Sequence, residues 1–154
     1  MLDSFNREIN YIRVSVTDRC NLRCVYCMPE EGIEKKTHNE ILSYEQIFNV
    51  VKEAAELGVK KVRLTGGEPL VRKNIDELVA MIRTLKNIET IAMTTNALIL
   101  SPIAERLKKA GLDSINISLD TLDDERYKYI TRGGNLKDAL IGIETASKLG
   151  FQLK

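Results

Sequence analysis

Three stretches, "ELGVKKVRL" (residues 56–64), "KAGLDSINI" (109–117) and "KLGFQLK" (148–154), repeat one arrangement in different residues. Each runs from the end of a helical pattern through a glycine and one apolar residue into a strand. The glycine supplies the left-handed turn that ends a helix. Repetition of this unit predicts a parallel sheet with right-handed crossovers. Strands are expected at residues 11–16, 61–65, 90–95 and 114–119. The third copy stops at Lys154, where a fifth strand starts, which leads to the expectation of a fragment.

The helices between the strands carry end signals. Ser43 with Gln46 reads as a capping box for a helix running to Leu57 and stopped by Gly58. Asn74 with Glu77 opens the next, to about Lys86. Ser101 before Pro102 reads as an N-cap with proline at the first helical position, and that helix ends at Gly111. Asn135 caps a last helix ending at Gly150. The charges at 123–128 form a solvated helix face, and "RGG" at 132–134 a flexible loop.

Strand parity carries the functional signal. Strands covered on both faces read as continuous apolar runs, but these alternate. With a period of two, Arg13 and Ser15 share a face, as do Arg63 and Thr65, Ala92 and Thr94, Asn116 and Ser118. The other face holds Val14, Val62, Leu64, Ile91, Met93, Ile115, Ile117 and Leu119. One apolar face under helices and one polar face with two arginines predict an α/β chain forming a partial (β/α) barrel with a ligand inside. It comprises about four βα units and the start of a fifth strand. All four polar clusters (the cysteine loop, "GGEP", "TTN" and "SLD") follow strand C-termini, where such barrels place active sites.

Composition excludes several classes. With 154 residues, 44% hydrophobic and 29% charged, the chain is that of one globular unit rather than a disordered one. A net charge of +1 creates no field for nucleic acid or anionic membrane. No apolar run approaches the roughly 20 residues that span a bilayer, and "MLDSFNREINYIRV" lacks a signal-peptide layout. Cytoplasmic localisation is expected.

All three cysteines lie in "CNLRCVYC", at Cys20, Cys24 and Cys27. Clustered cysteines without an export signal point to metal rather than disulfides. Zinc would need a fourth ligand, and the single histidine, His38, is within reach of a Cys3His site in a zinc-stabilised interaction module. Buried inert thiols are the other plain reading. An iron–sulfur cubane, normally held by four thiolates, would keep one iron open to an exogenous ligand.

C-x3-C-x2-C with an aromatic before the last cysteine, on the loop after the first strand, resembles the radical S-adenosylmethionine (SAM) superfamily. "GGEP" at 66–69 stands where that superfamily keeps its glycine-rich SAM motif. The resemblance implies a 4Fe-4S cluster on Cys20, Cys24 and Cys27. Its open iron would chelate SAM, and an electron from it would release a 5'-deoxyadenosyl radical. Longer stretches, "YIRVSVTDRCNLRCVYCMPEEG", "KVRLTGGEPLVR", "AMTTNA" and "AGLDSINISLDTLDDERYKYIT", are similar to the N-terminal part of the GTP 3',8-cyclase family. These enzymes begin molybdenum cofactor biosynthesis, abstracting the ribose C3' hydrogen of GTP and joining C3' to C8.

That resemblance implies GTP contacts at Arg13, Arg63, Thr94 and Lys154, and SAM contacts at Tyr26, Gly66, Gly67, Glu68 and Ser118. Tyr26 would act mainly through its backbone. No protein acid or base is implied, because the cluster and SAM carry the radical chemistry. The resemblance also implies a reducing electron donor and a downstream enzyme forming cyclic pyranopterin, and is compatible with a homodimer. Residues 1–154 would be the N-terminal part of a radical SAM core. The family's second three-cysteine cluster has no counterpart after Cys27, and alanine stands at Ala97 where glycine is frequent. A different radical SAM enzyme, such as a peptide-modifying one, shares the cluster half of these motifs.

Overall fold

The computed structural model describes residues 2, 4–34, 36–37 and 40–154, so His38 lies outside the described residues. Five parallel strands form one sheet in the order β1-β2-β3-β4-β5: β1 Tyr11–Ser15, β2 Lys61–Thr65, β3 Thr90–Thr95, β4 Ser114–Ile117 and β5 Gln152–Leu153. The intervening helices are α1 Tyr44–Glu56, α2 Ile75–Arg83, α3 Ala104–Ala110, α4 Asp124–Thr131 and α5 Leu136–Lys148, with a 3-10 turn at Pro69–Val71. The strand order never reverses, as it would in a doubly wound sheet. Sequential order with helices over one apolar face is the winding of a partial barrel.

That face forms the core. Val62, Leu64, Ile91, Met93 and Ile115 are buried beneath Ile47 and Val51 of α1, Leu78 and Ile82 of α2, Leu107 of α3 and Ala146 of α5. Burying an aliphatic side chain of this size stabilises by roughly 1.5–3 kcal/mol. Beyond β4, Tyr127, Leu136 and Ala139 make a second cluster that seats α4 against α5.

The helix ends follow the sequence where a local bond suffices. Ser43 and Gln46 form the expected capping box, and Gly111 ends α3 in the left-handed region at φ 98°. The Asn135 side chain accepts from the Lys137 amide to cap α5. Two expected caps fail. Asn74 is itself left-handed (φ 56°) and makes no side-chain cap bond; α2 ends at Arg83, short of Lys86. The Ser101 hydroxyl pairs with Thr145 of α5 at 3.1 Å, and α3 starts three residues later at Ala104. β4 stops at Ile117 rather than residue 119.

Candidate active site

The register sorts the polar face into rows. Arg13 lies beside Arg63, Arg63 beside Ala92, and Ala92 beside Ser114. The next row toward the strand C-termini holds Ser15, Thr65, Thr94 and Asn116. The Lys154 amide donates to the Ile115 carbonyl and its carbonyl accepts from the Ile117 amide, which puts Lys154 beside Asn116 in that row. Past the strand ends come Gly67, Asn96 and Ser118. Successive rows are about 6.6 Å apart.

All three thiols are free and line one cavity of about 210 Å³ with Tyr26, Gly66, Gly67, Glu68, Thr94, Ser118 and Asp120 among its walls. The cysteine stretch, the glycine loop and the ends of β3 and β4 therefore meet, as the motif positions predict. Arg13 and Arg63 sit deeper, one row beyond Thr94. No salt bridge joins either arginine to a described carboxylate. Arg63 lies 5.6 Å from the Tyr11 ring centroid, and its Nε is buried without a hydrogen-bond partner among the described residues.

The cysteine loop is built from a helical turn and docked by six long-range hydrogen bonds. Within it, the Cys27 and Met28 amides donate to the Cys24 carbonyl. The Arg23 and Val25 amides donate to Thr131 and Ile130, using the free carbonyls at the end of α4. Arg132, in the "RGG" expected to be a flexible loop, is left-handed, and its guanidinium donates to the carbonyls of Arg23 (3.1 Å) and Met28 (2.8 Å). This segment is a fixed strap, because the guanidinium bridges two turns of backbone. On other sides, Asn96 Nδ2 donates to Asn21 Oδ1 at 2.8 Å, and the Tyr26 hydroxyl donates to Asp120 at 3.0 Å.

The glycine loop lies directly on the cysteine loop. The Gly67 amide donates to the Thr17 carbonyl and the Glu68 amide to the Arg19 carbonyl, both at 2.8 Å. A Cβ on Gly66 would stand 2.4 Å from the Thr17 oxygen, and one on Gly67 2.3 Å from the Arg19 oxygen. Glu68 is buried at 1% exposure and accepts from Thr95 Oγ1, the Asn96 amide and the Leu70 amide. Burial pushes its carboxyl pKa up, against the pull of those three bonds. Glu68 thus holds β3's end to the glycine loop, a role invisible in "GGEP" alone.

The donor set suits a cubane. Among the described residues, no three His, Cys, Asp or Glu groups converge on a point one ion could occupy, as a tetrahedral zinc with bonds of about 2.3 Å requires. A cubane instead gives each thiolate its own iron, so thiols spread along a cavity wall fit it. Burial pushes the Cys20 and Cys24 thiols up. Folding alone leaves them protonated, and a bound cationic group would ionise them. Asn21, Asn96, Asp120 and Arg132 escaped sequence reading because their partners are between 75 and 109 residues away.

A partial β/α barrel with three thiols at its C-terminal rim defines a class of cluster-bearing enzyme. Residues 14–153 match the family profile described as "Radical SAM superfamily", and the chain belongs to that superfamily. Its members use a 4Fe-4S cluster and SAM. Among curated relatives, a GTP 3',8-cyclase of Clostridium botulinum is 57% identical over 152 residues, covering 99% of this chain and 48% of that protein. One from Pelotomaculum thermopropionicum is 58% identical over 151 residues, covering 98% and 46%. The chain thus spans about half the length of the curated relatives it matches. Among solved structures, Streptococcus suis SuiB bound to S-adenosylmethionine has a TM-score of 0.75 at 23% identity, covering 94% of this chain and 31% of that one. Methylornithine synthase (PylB) has a TM-score of 0.73 at 17% identity, covering 93% and 42%. These two share the fold. Among the described residues no helix is long and apolar enough to cross a membrane.

Proposed function

We propose that the chain forms the N-terminal part of the radical SAM core of a GTP 3',8-cyclase, binding the cluster, SAM and part of GTP. The observation that carries this reading is Arg13 beside Arg63, without a salt bridge to a described carboxylate, one row below the Thr65 and Thr94 walls of the cysteine cavity. Guanidinium forks match phosphate oxygens and stay charged at any working pH, so a polyanion is the ligand this row suits. The relatives' shared name supports GTP as that polyanion.

Cys20, Cys24 and Cys27 would hold the cluster, and Tyr26, Gly66, Gly67, Glu68 and Ser118 would bound SAM at the rim. Bound there, the cluster and SAM would supply radical hydrogen abstraction at the ribose C3' of GTP. Arg13, Arg63, Thr94 and Lys154 would hold GTP below it. Asn21, Tyr26 and Arg132 keep the loop in register for this. Glu68 acts here mainly as a buried strut, since both its oxygens are engaged by protein donors. The reaction draws on a low-potential electron donor and hands its product to an enzyme that forms cyclic pyranopterin. Likeness to SuiB is of fold alone and gives no preference for a peptide substrate.

The test is GTP affinity of the cluster-loaded protein by equilibrium dialysis. Arg63→Ala is expected to weaken GTP about 10- to 100-fold, the scale of a charge-assisted bond, with iron and sulfide content unchanged. Unchanged affinity would sink the reading.

A further inference from the structure

Asn116 occupies a position that neither the motifs nor the relatives' names assign. It stands on β4 in the middle row, between Thr94 on one side and Lys154 on the other. The row above ends in Ser118 at the rim of the cysteine cavity, and the row below holds Arg13 and Arg63. A ligand with its phosphates on the arginines and its reacting carbon toward the rim must lay its sugar across this middle row. About 13 Å, two row spacings, separate the arginines from the rim.

The amide of Asn116 is unengaged. Its Oδ1 is buried and has no hydrogen-bond partner among the described residues, whereas most buried polar atoms in proteins are paired, and on the polar face it shares that state with Arg63 Nε one row below. Its neighbours along the row differ: Ser15, Thr65 and Thr94 offer short hydroxyls, whereas the Asn116 amide both donates and accepts. Rotation about χ2, which is broad and two-fold for asparagine, turns either end toward the polar face. Ala92, in the row below and one strand over, puts only a methyl group beside it. An amide with no bond to the protein, in the layer where the sugar lies, is a group reserved for the ligand.

We propose that Asn116 is a specificity residue that hydrogen-bonds a ribose hydroxyl of the nucleotide. The inference rests on the GTP reading above and deepens it: the site recognises a ribonucleotide by its sugar as well as its phosphates. A site built to pair a hydroxyl rejects the analogue lacking it, because its own polar group is then left alone.

The experiment measures binding of GTP, 2'-deoxy-GTP and 3'-deoxy-GTP to the complete, cluster-loaded protein, wild type against Asn116→Ala and Asn116→Leu. Wild type is expected to bind GTP at least about tenfold more tightly than one of the deoxy analogues. The variants are expected to lose that ratio by weakening GTP while leaving that analogue's affinity within about twofold, the spread of an untouched contact. Cluster content and SAM binding serve as controls. Equal wild-type binding of all three nucleotides overturns the proposal even if neither variant folds. So does a variant that keeps the wild-type ratio. If wild type binds no GTP at all, the underlying reading falls and the inference with it, whereas GTP binding without sugar discrimination removes the inference alone.

Discussion

The Arg132 guanidinium donates to the Met28 carbonyl at 2.8 Å across 104 residues of sequence, and the same nitrogen reaches the Arg23 carbonyl at 3.1 Å. Those two carbonyls bracket the turn that carries Cys24 and Cys27. The left-handed backbone at the end of α4 aims the side chain there, so the strap depends on helix termination as much as on charge.

Replacing Arg132 by alanine should therefore loosen the cysteine turn while leaving the barrel folded. The loss is about 1 kcal/mol, roughly fivefold in the ordered fraction of the loop. Hydrogen exchange at amides 20–28 should rise in Arg132→Ala, and iron uptake during anaerobic reconstitution should slow. Arg132→Lys should recover little, because a flexible ammonium does not hold two N–H groups in the fixed plane with which one guanidinium nitrogen reaches both carbonyls. Full recovery by lysine would show that charge, not bridging, is what matters.

Two glycines separate loop damage from fold damage. Gly67 has the Arg19 carbonyl oxygen 2.3 Å from where a Cβ would stand, and Gly142 of α5 has the Ala97 oxygen at the same distance. Either alanine substitution overpacks backbone, costing about 1–3 kcal/mol, or roughly 3–10 °C in melting temperature. Gly142→Ala should lower the melting temperature alone. Gly67→Ala should also impair cluster loading, since it pushes the glycine loop off the cysteine loop. Similar loading of the two variants would refute that division.

The difference between what was legible in the sequence and what was not lies in the range of the interaction. The capping box at Ser43 and the glycine stop at Gly111 are bonds within a few residues, and both stand in the structure. So does the parity of the strands, which already separated Arg13 and Arg63 from the core. Ser101 misled because its hydroxyl has a partner 44 residues on, in α5. Asn74 misled because asparagine tolerates the left-handed backbone, which the cap pattern does not register. The thiols were legible because cluster ligands crowd into eight residues. Their supports were not, because Asn96, Asp120 and Arg132 reach the loop only once the sheet has brought its strand ends together.

The contact between Tyr26 and Asp120 ties the loop to the end of β4. Burial around the hydroxyl, and then the Asp120 carboxylate it donates to, push the Tyr26 pKa up. The phenol stays protonated and the bond persists at mildly alkaline pH. Tyr26→Phe should raise exchange at loop amides about threefold, for a bond of about 0.5–1 kcal/mol. Asp120→Asn keeps an acceptor oxygen and should exchange like wild type; if instead it matches Tyr26→Phe, the carboxylate charge is the essential feature.

Glu68 makes stability depend on pH in a direction opposite to that of a salt-bridged carboxylate. Its folded pKa is raised by burial, so the native state holds its proton more tightly than the unfolded chain does. The corresponding stabilisation is complete below the unfolded value near 4.5 and is lost as pH rises through the folded pKa. Glu68→Gln removes this titration and also places an NH₂ where the Asn96 amide needs an acceptor. The variant should be less stable than wild type throughout, by about 1–3 kcal/mol at low pH for the unsatisfied donor. Because only wild type loses stability as Glu68 ionises, that deficit should shrink from pH 4 toward neutrality. Urea unfolding of both proteins across that range measures it, and a deficit that widens with pH would mean that the three donors, not burial, govern the carboxyl.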